Sequence, residues 1–351
     1  MKKLIRMPSI KLFKSAVRNI TNVVRFSGLD ENGNSIYNIN PLPILKAVGT
    51  VKLHGTNVSV CHNLKDGIWS QSKKNIITPE KDNAGFALFV SQNIDVFKNI
   101  IFTIENYHRI DNSENTITVY GEWAGKGIQK GVAVSELNKS FYIFGAKITP
   151  FNEENQSYWV DSNIFSGKIN NDHIYHIKDF ETFEIEIDFN NPLLSNNKMI
   201  DMVDIVETEC PVAKQFGISG IGEGIVFETF YNDLIYRWKM KGTKHAGKSK
   251  IKKTHKVDDK KLQLIIDIVE KVTPEWRLSQ MYQETFDTIN GGKSDIKKTG
   301  DFIRSIIKDI TKEESDLISS VGLTSKDLNS SIGKKSRLWF MKKLDEECGL
   351  K

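Results

Sequence analysis

Several short runs in this sequence combine residue types that can hold or transfer a phosphoryl group. The first is Lys52-Leu53-His54-Gly55-Thr56-Asn57, where a lysine at a strand end meets a tight turn and the alternating strand of Val58 and Val60 follows. A lysine so placed can face a cleft. Its amine attacks phosphorus only when neutral, which needs desolvation or a cationic neighbour; otherwise it is a surface lysine beside a Gly-Thr-Asn turn. In Tyr120-Gly121-Glu122-Trp123-Ala124-Gly125-Lys126-Gly127-Ile128-Gln129-Lys130 a carboxylate ends an apolar strand and glycines follow. Glu122 can there hold a ribose hydroxyl or a metal-bound water, or simply pair with a lysine. In Glu223-Gly224-Ile225-Val226-Phe227 a second carboxylate enters a buried strand after a glycine-punctuated loop. Carboxylate and phosphate repel unless a cation such as Mg²⁺ bridges them; the plainer alternative for Glu223 is a strand cap.

Two strands complete the set. Phe141-Tyr142-Ile143-Phe144 puts Tyr142 and Phe144 on one face and Phe141 and Ile143 on the other, offering an aromatic platform for a base or ordinary core packing. In Ile235-Tyr236-Arg237-Trp238-Lys239-Met240-Lys241, period two aligns Arg237, Lys239 and Lys241 opposite Tyr236, Trp238 and Met240. Cations repeating at about 7 Å repel unless an anion sits between them. The strand therefore borders a polyphosphate cleft or is an edge strand charged against aggregation.

The elements that position these groups change along the chain. The first two thirds read as strands and loops, with Ile117 and Val119 alternating in Thr116 to Tyr120, and antiparallel sheet is expected. The Asn- and Ser-rich stretch 152–172 reads as long surface loops or an insertion. Beyond about residue 256 the texture is helical. Asp258 precedes Leu262, Ile265, Ile266 and Val269; Thr273-Pro274-Glu275 reads as an N-cap with proline first, Thr311 with Glu314 as a capping box, and Thr324 with Asp327 as a looser one.

A chain of 351 residues has room for two domains. The formal net charge is only +5, yet 239–261 holds ten lysines against two aspartates. That block is either a solvated linker or a phosphate-backbone contact, and it lies where the two textures meet, as a hinge or junction would. Cys61, Cys210 and Cys348 are isolated and show no paired spacing, so neither a zinc ribbon nor a disulfide framework is indicated, and a reducing compartment fits best. No run of about 18 apolar residues suggests a membrane span, and Arg6, Lys11 and Lys14 interrupt any signal-peptide core. A cytoplasmic protein, of a cell or of a phage-infected host, is expected.

In chain order, the lysine turn, glycine-flanked glutamate, aromatic strand, Glu-Gly strand and Lys-x-Lys strand resemble motifs I, III, IIIa, IV and V of the covalent nucleotidyltransferases. KLHGTN, with histidine where DNA ligases and capping enzymes generally have aspartate, and YGEWAGKGIQKG resemble the phage-type RNA ligase 2 family. The likeness runs with interruptions from Lys46 to Lys241. It implies that Lys52 attacks the α-phosphate of ATP and carries AMP, and that Glu122 contacts the ribose and Phe144 stacks on adenine. It further implies that Glu223 serves Mg²⁺, for which Mn²⁺ can substitute, and that Lys239 and Lys241 grip phosphate oxygens. His54 and Asn57 would position phosphates or the polynucleotide end. The sequence departs from the family at three places: Gly145-Ala146 follows Phe144 where Asp-Ile is usual, Val51 replaces a common glutamate, and the arginine after motif I appears only as Lys73 or Lys74. Lys74 is the assignment carried forward for the nucleotide contact, though a lysine lacks the bidentate fork of arginine.

The expectation is an α+β protein: a two-sheet antiparallel nucleotidyltransferase domain over 1–250 and a small all-helical domain over 256–351 that engages nucleic acid. DNA ligases and capping enzymes typically add an OB-fold barrel instead. The implied reaction joins 3′-hydroxyl and 5′-phosphate ends of RNA, as nicks in duplex RNA or an RNA/DNA hybrid. No obligate protein partner is indicated. The alternatives are a DNA ligase or other covalent nucleotidyltransferase, and an RNA-binding protein with a degenerate site.

Overall fold

The computed structural model describes residues 2–31, 33, 35–152, 156–243, 258–286 and 292–347. Most of the lysine-rich block, 244–257, lies outside them. The protein is α+β, with antiparallel sheets and a helical C-terminal region. It divides into two compact units. One gathers the described residues before 18, Ile44–Asp188 and those from 198 to 243; the other gathers 18–43, Phe189–Asn197 and those from 258 on.

In chain order, helix α1 (Phe13–Arg25) leads to the hairpin β1 (Phe26–Leu29) and β2 (Ser35–Tyr37). Strands β3 (Ile44–Val51), β4 (Thr56–Asn63), β5 (Gly67–Ser72) and β6 (Ile76–Ile77) precede helices α2 (Phe86–Gln92) and α3 (Ile94–His108). Then come β7 (Asn115–Ala124), β8 (Ser140–Pro150), β9 (Tyr158–Val160), β10 (Ile174–His176) and β11 (Thr182–Asp188). Helices α4 (Pro192–Thr208) and α5 (Pro211–Gln215) separate these from β12 (Gly224–Tyr231) and β13 (Leu234–Lys241). The first two thirds thus hold more helix than their strand-and-loop texture suggests. The clearest case is α3, whose Phe97, Ile100, Ile101 and Ile104 recur at helical spacing and are buried.

A seven-stranded sheet runs β10-β8-β7-β4-β5-β6 with β9 added beside β8; every pairing is antiparallel except β10 with β8. A four-stranded antiparallel sheet runs β11-β3-β12-β13. The central strands β4 and β7 are covered on both faces, so Ser59, Cys61, Thr116 and Thr118 are as buried as Val58, Val60, Ile117 and Val119. Alternation alone therefore understates how deep β4 and β7 lie. Helix α3 packs on one face of the larger sheet through Phe97, Ile100 and Ile104 against Val60, Ile117 and Phe141. In the smaller sheet Trp238 is fully buried, stacked on Phe227 at 5.8 Å and 5.4 Å from Phe13, with its indole N–H directed at Met199 Sδ.

The second unit is built around helices α6 (Asp259–Val272), α7 (Glu275–Phe286), α8 (Thr299–Glu313), α9 (Ser315–Ser320) and α10 (Ser325–Glu347). Phe302 and Phe340 are fully buried, with ring centroids 5.2 Å apart, and each such side chain contributes about 1.5–3 kcal/mol by leaving water. Asp258 caps α6 by accepting from Lys260 N, as expected. Thr273 instead ends α6, its hydroxyl donating to Val269 O at 2.5 Å. Thr311 lies inside α8, where Ile310 N-terminal to it is buried, so no helix starts there. At Thr324 the Asp327 carboxylate accepts from both the backbone N–H and the hydroxyl at the start of α10. Among the described residues, no helix is long and apolar enough to cross a membrane.

Candidate active site

Strand β3 ends at Val51, and the next residue, Lys52, has its backbone N–H bonded to Gly224 O at 2.8 Å. This ties the start of the turn to the start of β12 and brings Lys52 to Glu223. The Lys52 ammonium donates to Glu223 Oε2 at 2.6 Å, and the Lys241 ammonium lies 2.6 Å from Oε1. His54 Nδ1 is 3.3 Å from Oε2. Glu223 is only 2% exposed. Burial alone would raise its carboxyl pKa, but the Lys52 and Lys241 charges outweigh burial and hold it below the usual carboxylate range. One buried carboxylate thus orients two lysines drawn from opposite ends of the sequence pattern.

Glu122 lies within β7, two residues before its end, beside Asn57 in the β4–β7 register. Its Oε1 accepts the Gly55 N–H at 3.1 Å. A side chain at position 55 would collide with the Trp123 carbonyl, so glycine is what lets the turn after Lys52 close on Glu122. Burial, opposed by the Lys52 charge and the Gly55 N–H, pushes the Glu122 carboxyl up to about 7. Lys239 is shifted the other way: burial, then the charges of Lys241, Lys52 and Lys73, lower its pKa. These cations crowd one another.

Beside Lys52 opens a cavity that Asn57, Lys73, Glu122, Phe144 and Lys239 also line. Of the two lysines after β5, the cavity takes Lys73; Lys74 is not among its lining residues. His54, Glu223 and Lys241 connect to it through Lys52. Phe144 reaches the cavity from a β-bulge: Tyr120 pairs with Gly145 and Gly121 with Ile143, so Phe144 has no partner across the strands. Tyr142 lines the cavity as well, whereas Phe141 and Ile143 lie in the core.

The cavity also draws on residues with no local signal. Met7, Pro8, Ser9 and Ile10 come from the N-terminal segment, which is tied down by Ile5 N donating to Gln71 Oε1 at 3.1 Å and Tyr120 O–H donating to Ile5 O at 3.2 Å. Asn57 Nδ2 meets Met7 Sδ at 3.2 Å. Asp161 and Ser162 come from the stretch read as surface loop or insertion, which β9 fastens to β8. His176 is kept neutral, its pKa lowered to about 4 mainly by burial. Its Nδ1 accepts from Lys178 N, which leaves Nε2 protonated toward Ser162 Oγ at 3.1 Å. Only the cationic face of β13 could have pointed to Arg237, and nothing in the sequence to Glu228; both line the cavity.

Among the described residues no group of three His, Cys, Asp or Glu side chains could hold a metal. Mg²⁺ held chiefly by phosphate oxygens and waters needs only one or two protein carboxylates. A single buried Glu223, flanked by Lys52 and Lys241 and close enough to Glu122 for the two charges to interact, fits that kind of site.

A family model described as RNA ligase matches residues 45–240. No curated protein matches the chain. Solved structures of Naegleria gruberi RNA ligase are similar at low identity. The form with PPi is 12% identical, covering 67% of this chain and 56% of that one at a TM-score of 0.40. A substituted form with ATP and Mn is 13% identical, covering 69% and 57% at 0.42. Another with AMP and Mn is 14% identical, covering 67% and 56% at 0.40. The chain therefore spans little more than half the length of those proteins.

Proposed function

Since this chain belongs to the RNA ligase family, we propose that it is an ATP-dependent RNA ligase of the phage-type RNA ligase 2 kind, sealing 3′-hydroxyl and 5′-phosphate ends through AMP carried on Lys52. The observation that carries this proposal is the Lys52–Glu223–Lys241 bridge beside a cavity lined by Phe144, Glu122 and Lys239. The nucleophile, the phosphate-gripping cations and a platform for the base stand within one unit.

In the first step Lys52 Nζ, after its ammonium gives up a proton to solvent, attacks the α-phosphorus of ATP; the P–N bond forms as the bond to pyrophosphate breaks. Lys239 and Lys241 neutralise the phosphate oxygens, and Phe144 stacks on adenine while Glu122 takes the ribose. Lys73 is better placed than Lys74 for the contact that the family makes with arginine. Glu223 would hold Mg²⁺, or Mn²⁺ in its place, which when bound would supply Lewis-acid neutralisation of the triphosphate. In the second step a 5′-phosphate oxygen takes AMP from Lys52, and in the third the 3′-hydroxyl attacks that phosphate and expels AMP. His54 and Asn57 position the end phosphate. Every step is phosphoryl transfer, for which positioning and charge are the main catalytic means. The substrate we favour is a nick in duplex RNA or an RNA/DNA hybrid, engaged by a helical domain over 256–351 that follows a nucleotidyltransferase domain over 1–250.

The test is incubation with α-labelled ATP and Mg²⁺, comparing the wild type with Lys52→Ala, followed by a chase with a nicked duplex whose 3′-hydroxyl strand is RNA. The expected result is a covalent label that Lys52→Ala lacks and that the nick discharges into a sealed strand. A wild type that takes no label yet binds RNA would be a binding protein, and the proposal would fall.

A further inference from the structure

The floor of the cavity is one face of the four-stranded sheet, and its residues lie in cross-strand rows. Gly224 pairs with Lys241 at the Lys52 end; Val226 pairs with Thr50 and Lys239 in the next row; Glu228 pairs with Val48 and Arg237 in the row beyond. Successive rows are about 7 Å apart. Lys52, Phe144, Val226, Glu228 and Arg237 all line this cavity, so a nucleotide with its α-phosphate at Lys52 and its base against Phe144 would have the Glu228–Arg237 row within reach of that base.

That pair is built to offer one donor and one acceptor. Arg237 Nε donates to Glu228 Oε2 at 2.7 Å. The guanidinium lies over the Trp159 ring, 4.1 Å from its centroid, which fixes its plane. Among the described residues Arg237 Nη1 is buried with no hydrogen-bond partner, a costly state for a charged group unless something arrives to accept from it. Glu228 Oε1 has Lys178 Nζ at 3.6 Å, too far for a good hydrogen bond, and so keeps accepting capacity. Gly145, where the family usually has aspartate, completes the arrangement. A Cβ there would stand 3.0 Å from the Trp159 ring and 3.5 Å from Arg237 Nη2, so the absent side chain makes the space that Trp159 and the guanidinium share.

We propose that Arg237 and Glu228 are specificity-determining residues that read the edge of adenine, the guanidinium donating to a ring nitrogen and the carboxylate accepting from the exocyclic amine. Trp159 and Gly145 are positioning residues for that pair. The inference rests on the ATP-dependent assignment above and deepens it. It also accounts for the glycine after Phe144, which is a fitted part of the base site and not a lost contact.

The experiment measures the rate of covalent labelling per unit nucleotide concentration with ATP and with purine riboside triphosphate, which lacks the exocyclic amine. The proteins are the wild type, Glu228→Ala, Arg237→Met and Trp159→Leu, each checked for a native melting transition. The wild type is expected to prefer ATP by roughly tenfold to a hundredfold, the range of a well-made pair of base-edge hydrogen bonds. In Glu228→Ala that preference collapses toward unity because the ATP rate falls and the analogue rate does not, whereas Arg237→Met, which loses a contact to a ring nitrogen that both nucleotides carry, slows both and keeps part of the preference. Equal use of both nucleotides by the wild type overturns the inference, whether or not the variants fold. Equal losses for both nucleotides in folded Glu228→Ala overturn it as well, since they indicate a structural role. No label from either nucleotide on the wild type overturns the ligase assignment and this inference together, and is thereby told apart from failure of the inference alone.

Discussion

Replacing Glu122 by glutamine removes a charge and keeps the acceptor that Gly55 N–H uses, so it isolates the electrostatic cost of the carboxylate. Burial raises this carboxyl from 4.5 to about 7. Below pH 4.5 the group is protonated in folded and unfolded chains alike, and folding pays nothing for it. Between 4.5 and about 7 the unfolded chain loses the proton that the folded chain keeps, so stability falls as pH rises and the loss is complete above 7. A shift of that size corresponds to about 3 kcal/mol at about 1.4 kcal/mol per unit. Because Glu122 is only half-buried by exposure, screening reduces this to about 2 kcal/mol. Urea denaturation of wild type and Glu122→Gln at pH 4.5 and at pH 8 is the assay. The variant should match the wild type at the lower pH and exceed it by about 2 kcal/mol at the higher. A gain of equal size at both values, or none at pH 8, would show that the carboxylate is not strained by burial and would refute the reasoning.

Glu223→Ala strips Lys52 and Lys241 of their shared counter-charge; it should destabilise the protein by about 3 kcal/mol, the low end for breaking a buried pair because both lysines are partly exposed, as denaturant titration would show. Lys73→Met should raise the ATP concentration needed for labelling several-fold while Lys74→Met leaves it unchanged, since the cavity takes only the first. Chelation with EDTA should abolish labelling without lowering the melting temperature, because among the described residues no metal cluster supports the fold. Phe340→Ala should cost about 3–5 kcal/mol by opening a cavity in the helical core, a loss visible in calorimetry.

Much of the candidate site was legible because the residues that compose it lie in short local runs. The Lys52 turn, Glu122, Glu223 and the alternating cations of β13 each sit in a run whose spacing shows which way a side chain faces. The partners of these residues were not legible, because sheet pairing sets them over long separations. Nothing in the sequence brings Met7 to Asn57, or Trp159 over Arg237; β9 joining β8 and the N-terminal segment joining Gln71 do that. The choice between Lys73 and Lys74 turned on a turn at residues 72–75 that periodicity does not resolve. Helix α3 is a different kind of miss, since Phe97, Ile100, Ile101 and Ile104 were a visible helical pattern within a stretch judged by its strands. Thr273 and Thr311 show the weakness of capping motifs taken alone: a threonine hydroxyl satisfies a carbonyl at a helix end as readily as it opens a new helix.

Strand β13 is the last strand of its sheet, and its outer edge is met by the N-terminal segment, where Lys11 bridges Trp238 and the Lys239 N–H donates to Lys11 O at 2.9 Å. The segment therefore serves as a guard against strand addition as well as a wall of the cavity. A chain shortened to begin after Lys11 would present a bare ladder of amides and carbonyls beside its most cationic strand, and only charge repulsion would then oppose pairing with a second copy. Such a truncation should self-associate in high salt, where that repulsion is screened, and disperse again as the salt is removed.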